Sequence, residues 1–199
     1  ATGKTVVAAN YTGGSVASFP LRADGSLGER GSFHQHVGSS INPDRQEAAH
    51  AHMARIDASN RWVFVPDLGM DKVTIYQLDA ANGKVQPNTP FATAVEAGQG
   101  PRHFDIHPSQ KSAYVINELG STVTAFRYDP DKGTLETLQT ISTLPAGFTE
   151  STCAHVQMHP SGKFLYGSNR GHDSIAIFQV DSKSGKLTAA GHASTQGLT

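Results

Sequence analysis

The chain has 199 residues, with 20 glycines, 10 prolines, one cysteine and a formal net charge of −1. Its basic residues are spread out rather than clustered, so neither a nucleic acid nor an anionic membrane is an expected partner. No apolar stretch approaches the roughly eighteen residues of a membrane span, and the first residues do not form a signal peptide. The single cysteine, Cys153, excludes an intrachain disulfide and is expected to be a buried thiol; it leaves the compartment open, with the cytoplasm favoured.

One pattern is repeated four times along the chain. A basic residue stands six positions before an Asn or Asp, and a second β-rich run follows after another six positions. The four copies occupy residues 4–10, 61–67, 111–117 and 163–169, and they recur at a spacing of roughly fifty residues, which is typical of propeller blades.

The flanks of the pattern extend each copy to four strands, which we label A to D. A turn with a glycine at a fixed place follows the second β-rich run of the pattern, as in Asp131-Lys-Gly133. In the later copies a short β run also precedes the basic residue. The first copy opens at strand B and has no strand A before it. We therefore expect an all-β chain, a partial β-propeller of four-stranded antiparallel blades in one domain over residues 1–199. The blade repeats are expected around residues 1–40, 50–95, 101–143 and 153–195.

An open propeller exposes the apolar faces of its end blades. The chain is therefore expected to be a piece of a longer protein or a half that must pair, with self-association through the exposed blade faces.

Several motifs resemble those of the seven-bladed lactonase family, which includes the propeller-type 6-phosphogluconolactonases and the fungal carboxy-muconate cyclases. They are the segment 10–21, His50-Ala-His52, the segment 67–73, Gly100-Pro-Arg-His-Phe-Asp-Ile-His-Pro108, Asn117-Glu-Leu119 and the segment 168–175. The resemblance covers essentially the whole chain and implies that about four of seven blades are present. It also implies a sugar-lactone hydrolase that needs no cofactor and no metal, with a small anionic lactone as substrate.

The strand order alone predicts where a site would lie. Residues at the start of strand A and at the end of strand B emerge on the same face of an antiparallel blade. The first group contains His50, His52, Arg102, His103 and His155, and the second contains Asn10, Asp67, Asn117, Glu118, Asn169 and Arg170. Arginines, histidines and carboxylates converging at one mouth of a channel are typical of an anion-binding hydrolytic site.

Four of these residues break the repeat and are the candidate catalytic residues: His52, Arg102, Glu118 and Arg170. The resemblance agrees, because the cyclase branch of the family looks as if it uses a His, an Arg, a Glu and a second Arg in this order. The arginines would hold the anion and oppose charge on the carbonyl oxygen, and either Glu118 or His52 would deprotonate water. The other candidates are assigned to substrate binding: His50, Asp67, His103, Asn117, His155 and Asn169.

Several of these residues also have a purely structural interpretation. The recurring Asn or Asp at the end of strand B can bond the backbone of the next turn. His107 and His159 recur in register with Asp57, which favours a turn-capping role. His34 and His36 are expected in a solvent loop, since two histidines leave a zinc site short of ligands.

Three functions stay open at this point. The first is a lactonase, with a muconate-lactonising cyclase as its variant. The second is a propeller that only binds a ligand or a protein. The third is a metal-dependent lactonase in which calcium or zinc is held by Glu118, Asn117, Asn169 and Asp67. The loops at residues 82–99 and 144–152 are expected to influence the choice of substrate.

Overall fold

The computed structural model describes residues 3–197, and the only regular elements in that range are β-strands. The fifteen strands are β1 (Thr5–Asn10), β2 (Ser15–Pro20), β3 (Ser32–Gln35), β4 (Arg55–Ile56), β5 (Trp62–Asp67), β6 (Lys72–Asp79), β7 (Lys84–Ala94), β8 (Pro101–Ile106), β9 (Ser112–Asn117), β10 (Thr122–Asp129), β11 (Thr134–Ser142), β12 (Thr152–Met158), β13 (Phe164–Arg170), β14 (Ser174–Val180) and β15 (Leu187–Ser194). Within residues 3–197 there is accordingly no helix that could cross a membrane.

The strands form four antiparallel sheets, and in each sheet the hydrogen-bonded neighbours are neighbours in the chain. The first sheet contains β1 to β3, and the other three contain β4 to β7, β8 to β11 and β12 to β15. The all-β propeller architecture is confirmed, and within residues 3–197 the first sheet has three strands. Two compact units divide the chain between Ala97 and Gly98, each with two of the sheets; the single-domain organisation stays a prediction.

In the second and third sheets, the strand that carries the repeated pattern is covered on both faces. All six residues of β5 and all six residues of β9 are buried. A continuous Val, Ile and aromatic run, such as Tyr114-Val-Ile116, suits a strand packed on both sides. In the second unit this strand belongs to a core that continues through Cys153, Leu165 and Phe178.

The first unit has its own core between its two sheets. Val16 of β2, Val63 and Val65 of β5 and Tyr76 of β6 form one buried cluster. Ala51 joins the same cluster ahead of β4.

Turn capping by the histidines before proline is confirmed. The ring of His107 accepts a hydrogen bond from the backbone N–H of Ser109 at 3.0 Å, and His159 does the same with Ser161 at 3.1 Å. Asp57 receives the backbone N–H of Ser59 at 3.3 Å in the matching turn. These side chains stabilise the A-to-B turn.

Three expectations about loops and strands are wrong. His34 lies in β3, and His36 directly follows it as a buried residue bonded to Asp67 at 2.6 Å and to the hydroxyl of Tyr76 at 2.6 Å, so neither belongs to a solvent loop. Residues 84–94 of the expected loop 82–99 form β7. Strand A of the second sheet shrinks to Arg55–Ile56, although an isolated bridge pairs Ala51 with Asp67.

Candidate active site

The site begins at the edge where β8 starts and β9 ends. Pro101 pairs with Asn117 and His103 with Ile116, so Arg102 is the extra residue of a β-bulge. A bulge re-aims a side chain relative to the regular strand alternation. The backbone N–H of Glu118 bonds the carbonyl of Gly100 at 2.7 Å, which holds the residue after β9 beside this bulge.

Glu118 joins two arginines from different strands. Its Oε2 accepts a hydrogen bond from Nε of Arg102 at 2.8 Å, and its Oε1 lies 3.1 Å from an Nη of Arg170. The side chain of Glu118 is only 6% exposed, against 17% for Arg102 and 38% for Arg170. Ion pairs between such shielded groups are screened much less than pairs on the surface.

Backbone carbonyls of β12 hold both guanidinium groups. Nη1 of Arg102 donates to the carbonyl of Ala154, and Nη2 of Arg170 donates to the carbonyl of Cys153 at 3.0 Å. Burial lowers the pKa of Arg102, Glu118 opposes that shift, and the nearby charge of Arg170 adds to it. An arginine nevertheless keeps its charge in a protein, so the cluster contains two cations and one carboxylate.

Two histidines lie beside Arg102. Nδ1 of His103 and Nδ1 of His155 are 2.8 Å apart, and their rings meet edge to face. Nε2 of His103 is 3.4 Å from Nη1 of Arg102. The second unit therefore brings five of the sequence-predicted residues into one group.

Asn117 and Asn169, which directly precede Glu118 and Arg170 in the chain, are buried. The amide nitrogen of Asn117 donates to the hydroxyls of Thr122 and Thr124 at 2.8 and 3.0 Å. Asn169 donates in the same way to the carbonyl of Thr143 at 3.0 Å. The two side chains thus have structural partners other than the backbone of the next turn, which was the expected one, and substrate binding by the two residues stays a prediction.

Cys153, whose carbonyl accepts from Arg170, is buried in the core of the second unit. Its thiol lies 3.2 Å from the hydroxyl of Thr143, and its backbone N–H bonds the carbonyl of Glu118 at 3.1 Å. Burial raises the pKa of the Cys153 thiol to about 11. The expectation of an unreactive buried thiol is consistent with this environment.

His50, His52 and Asp67 belong to the first unit. The ring of His50 stacks on Tyr11 with centroids 4.5 Å apart, and the ring of His52 meets Tyr11 edge-on at 5.2 Å. Asp67 is fully buried: its Oδ2 bonds His36, and its Oδ1 accepts the backbone N–H of His50 at 2.7 Å. The roles assigned to these three residues stay predictions.

Sequence reasoning missed several partners of the site. The carbonyls of Cys153 and Ala154 have no side-chain signal, because any residue can supply them. Gln157 and Asp105, whose side chains are 3.2 Å apart, could have been noticed because Gln157 stands two positions after His155 in the same strand.

The donor set near Glu118 does not suit a metal ion. Both carboxylate oxygens face guanidinium groups, which repel a cation. In the part of the chain that the structure describes, no three His, Cys, Asp or Glu side chains form a group that could hold a metal.

Known proteins resemble this chain closely. The family described as Lactonase, 7-bladed beta-propeller matches residues 1–199. Relatives named 6-phosphogluconolactonase include one from Bacillus subtilis, 38% identical over 96% of this chain and 54% of its own length, and one from Pectobacterium carotovorum, 35% identical over 98% of this chain and 55% of its own length. A solved structure of a periplasmic gluconolactonase from Pseudomonas aeruginosa superposes with a TM-score of 0.90 at 33% identity, covering 98% of this chain and 55% of that one.

The chain spans about half the length of the curated relatives it matches. The match to the family nevertheless runs over the whole of these 199 residues. The chain belongs to the seven-bladed β-propeller lactonase family.

Proposed function

We propose that this protein is a lactone hydrolase that acts on an anionic sugar lactone of the 6-phosphogluconolactone type. The names of its relatives support the reaction class. The observation that carries the proposal is the Glu118 carboxylate, which bridges Arg102 and Arg170 at 2.8 and 3.1 Å. Groups whose pKa is shifted by burial and by charged neighbours, as that of Arg102 is, cluster at functional sites.

Charge complementarity supports an anionic substrate. Two arginines and one carboxylate leave one net positive charge, which suits a phosphate, a carboxylate or a developing oxyanion. Arg170 keeps more exposure than Arg102, so we assign Arg170 to the anionic group of the substrate. The planar guanidinium forms paired hydrogen bonds with such groups.

The reaction then needs three events. The oxygen of water attacks the lactone carbonyl carbon, the ring C–O bond breaks, and the proton from water ends on the ring oxygen as it becomes a hydroxyl. Arg102, held by Glu118 and the carbonyl of Ala154, opposes the negative charge that grows on the carbonyl oxygen. Preorganised donors of this kind contribute roughly 10²–10³ in rate.

Glu118 has two possible parts in this reaction. It positions both arginines, and each carboxylate oxygen has more than one acceptor direction, which leaves room for a proton from water. Positive neighbours reduce the basicity of a carboxylate, so we favour positioning as its main part. His52 stays the alternative base. Substrate binding also stays a prediction for six residues: His50, Asp67, His103, Asn117, His155 and Asn169.

The test is the hydrolysis of 6-phosphogluconolactone by the protein, measured against the uncatalysed rate with and without EDTA, in wild type, Arg102→Ala and Glu118→Gln. We expect activity that survives EDTA and falls about 100-fold or more in both variants. Loss of activity with EDTA would instead support a metal-dependent lactonase. Absence of catalysis in the wild type would contradict the proposal, and a carboxy-muconate substrate would then be tried.

Self-association through blade faces and the cellular compartment also stay predictions. Light scattering coupled to size-exclusion chromatography tests the first, and cell fractionation tests the second.

A further inference from the structure

A line of polar side chains runs from Arg102 along β8 and β12. Nη1 of Arg102 is 3.4 Å from Nε2 of His103, and Nδ1 of His103 is 2.8 Å from Nδ1 of His155. Nε2 of His155 is 3.4 Å from Oε1 of Gln157, whose Nε2 donates to Oδ2 of Asp105 at 3.2 Å. The line thus connects a cation at one end with a buried carboxylate at the other.

The two end groups, Arg102 and Asp105, determine which group donates and which accepts in each hydrogen bond between them. A guanidinium can only donate, so Nε2 of His103 accepts and the ring carries its proton on Nδ1. That proton is donated to Nδ1 of His155, which therefore carries its own proton on Nε2 and donates to Gln157. An ionised carboxylate only accepts, so Asp105 ends the sequence of bonds. Every donor meets an acceptor only when both histidines are neutral, each in one tautomer.

We infer that His103 and His155 are a pH-sensitive positioning pair for Arg102. The neutral pair orients the guanidinium, and protonation of His103 at Nε2 replaces the acceptor of Arg102 with a competing N–H and a positive charge. Arg102 then loses one of the contacts that keep it in place, so activity falls in acid. This inference rests on the proposed function for its kinetic consequence, but not for its account of the hydrogen bonds.

The charges around the pair act in opposing directions. Arg102 on β8 and Arg170 at the end of β13 disfavour a proton on His103, while Glu118 after β9 and Asp105 on β8 favour one. A second proton, on His155, would make both rings positively charged while their Nδ1 atoms are 2.8 Å apart. Because histidine titrates between about pH 5 and 8, the change falls in a range that enzymes commonly encounter.

Nitrogen NMR of the imidazole rings tests the hydrogen-bond direction without any substrate. Near neutral pH we expect His103 to carry its proton on Nδ1 and His155 on Nε2. The Nε–H signal of Arg102 should shift as His103 titrates in the wild type, and should not shift over that range in His103→Gln. The opposite tautomers, or an Arg102 signal insensitive to His103, would overturn the inference.

Kinetics tests the positioning role. His103→Gln keeps an acceptor for Arg102 but cannot titrate, so its kcat/KM, taken relative to its own value at neutral pH, should lose the acid fall due to the pair. His103→Leu removes the acceptor and should lower kcat/KM by about tenfold, the loss typical of one hydrogen bond to a charged group. The turn-capping variant His159→Gln is the control and should keep the wild-type pH profile.

A wild-type pH profile in His103→Gln, or full activity in His103→Leu, would contradict the positioning role. A wild type without lactonase activity would overturn the proposed function alone. In that case the NMR experiment alone would test the tautomers of His103 and His155 and the response of Arg102.

Discussion

The carboxylate of Glu118 and the guanidinium of Arg102 meet at 2.8 Å because a β-bulge at the start of β8 turns Arg102 toward the end of β9. The same carboxylate also contacts Arg170 at 3.1 Å. Removing its charge should therefore affect two arginines at once, and this separates it from carboxylates in exposed ion pairs.

Replacing Glu118 with Gln should destabilise the fold as well as reduce activity. The change leaves two partly buried guanidinium groups without their counter-charge and puts an amide N–H against an N–H donor, which costs on the order of 1–3 kcal/mol. Urea unfolding measures this loss. Glu136→Gln is the matched control, because Glu136 forms an ion pair with Arg127 in which both side chains are about two-thirds exposed. Equal unfolding free energies for the two variants would contradict the bridging role.

Replacing Arg102 with Lys should reduce kcat/KM by about 100-fold although the charge is kept. A lysine cannot hold Glu118 and the Ala154 carbonyl together in the fork geometry of a guanidinium. Steady-state kinetics with the lactone measures the change. Arg127→Lys on the exposed pair should leave kcat/KM unchanged and the unfolding free energy within about 0.5 kcal/mol. If lysine at position 102 supports full activity, a point charge is sufficient and the proposed geometry is not needed.

Much of the fold could be predicted from the sequence because the blades repeat. The buried run Tyr114-Val-Ile116 recurs in related form in each copy. The strands that pair with it, β8 and β10, are joined to it by short turns. Arg102, Glu118 and Arg170 stood out because they differ where the repeat otherwise constrains the residue, and the structure brings these three together.

Contacts between residues far apart in the chain could not be predicted. His36 reaches Asp67 across 31 positions and the hydroxyl of Tyr76 across 40, and no local pattern signals that buried arrangement. The direction of the bonds through His103 and His155 likewise depends on two strands that lie about fifty residues apart.

The thiol of Cys153 should make stability depend on alkaline pH. Its pKa is raised to about 11 from an ordinary value of 9.0 because burial disfavours the thiolate. The unfolded chain therefore loses this proton first, and stability that is fully present below about pH 9 declines as the pH rises to about 11, by on the order of 2–3 kcal/mol.

Urea unfolding at a series of pH values tests this prediction. The fall in stability between pH 9 and 11 should be smaller in Cys153→Ala than in the wild type. Tyr114, whose pKa burial raises from 10.0 to about 12, gives both proteins a shared decline that begins at about pH 10. Identical slopes for the two proteins between pH 9 and 11 would count against the buried thiol.

A side chain at Gly171 should disturb the turn that follows Arg170. Gly171 has φ of +96°, and a Cβ there would lie 2.6 Å from the backbone carbonyl oxygen of Glu150. Gly171→Ala should therefore lower the unfolding free energy by more than about 1 kcal/mol and reduce lactone hydrolysis. Gly191→Ala is the control, because Gly191 also has positive φ but no atom within 4 Å of the added methyl group. Equal effects in the two variants would mean that backbone strain alone is responsible.

The most direct test of the site is a double-mutant cycle on lactone hydrolysis with Arg102→Ala, Glu118→Gln and the two changes combined. If the cluster acts as one unit, each single change removes most of the activity, and the double variant is hardly slower than the slower single variant. Losses of kcat/KM that simply multiply, or single variants with wild-type activity, would contradict the central claim that Glu118 and the arginines form the lactonase site.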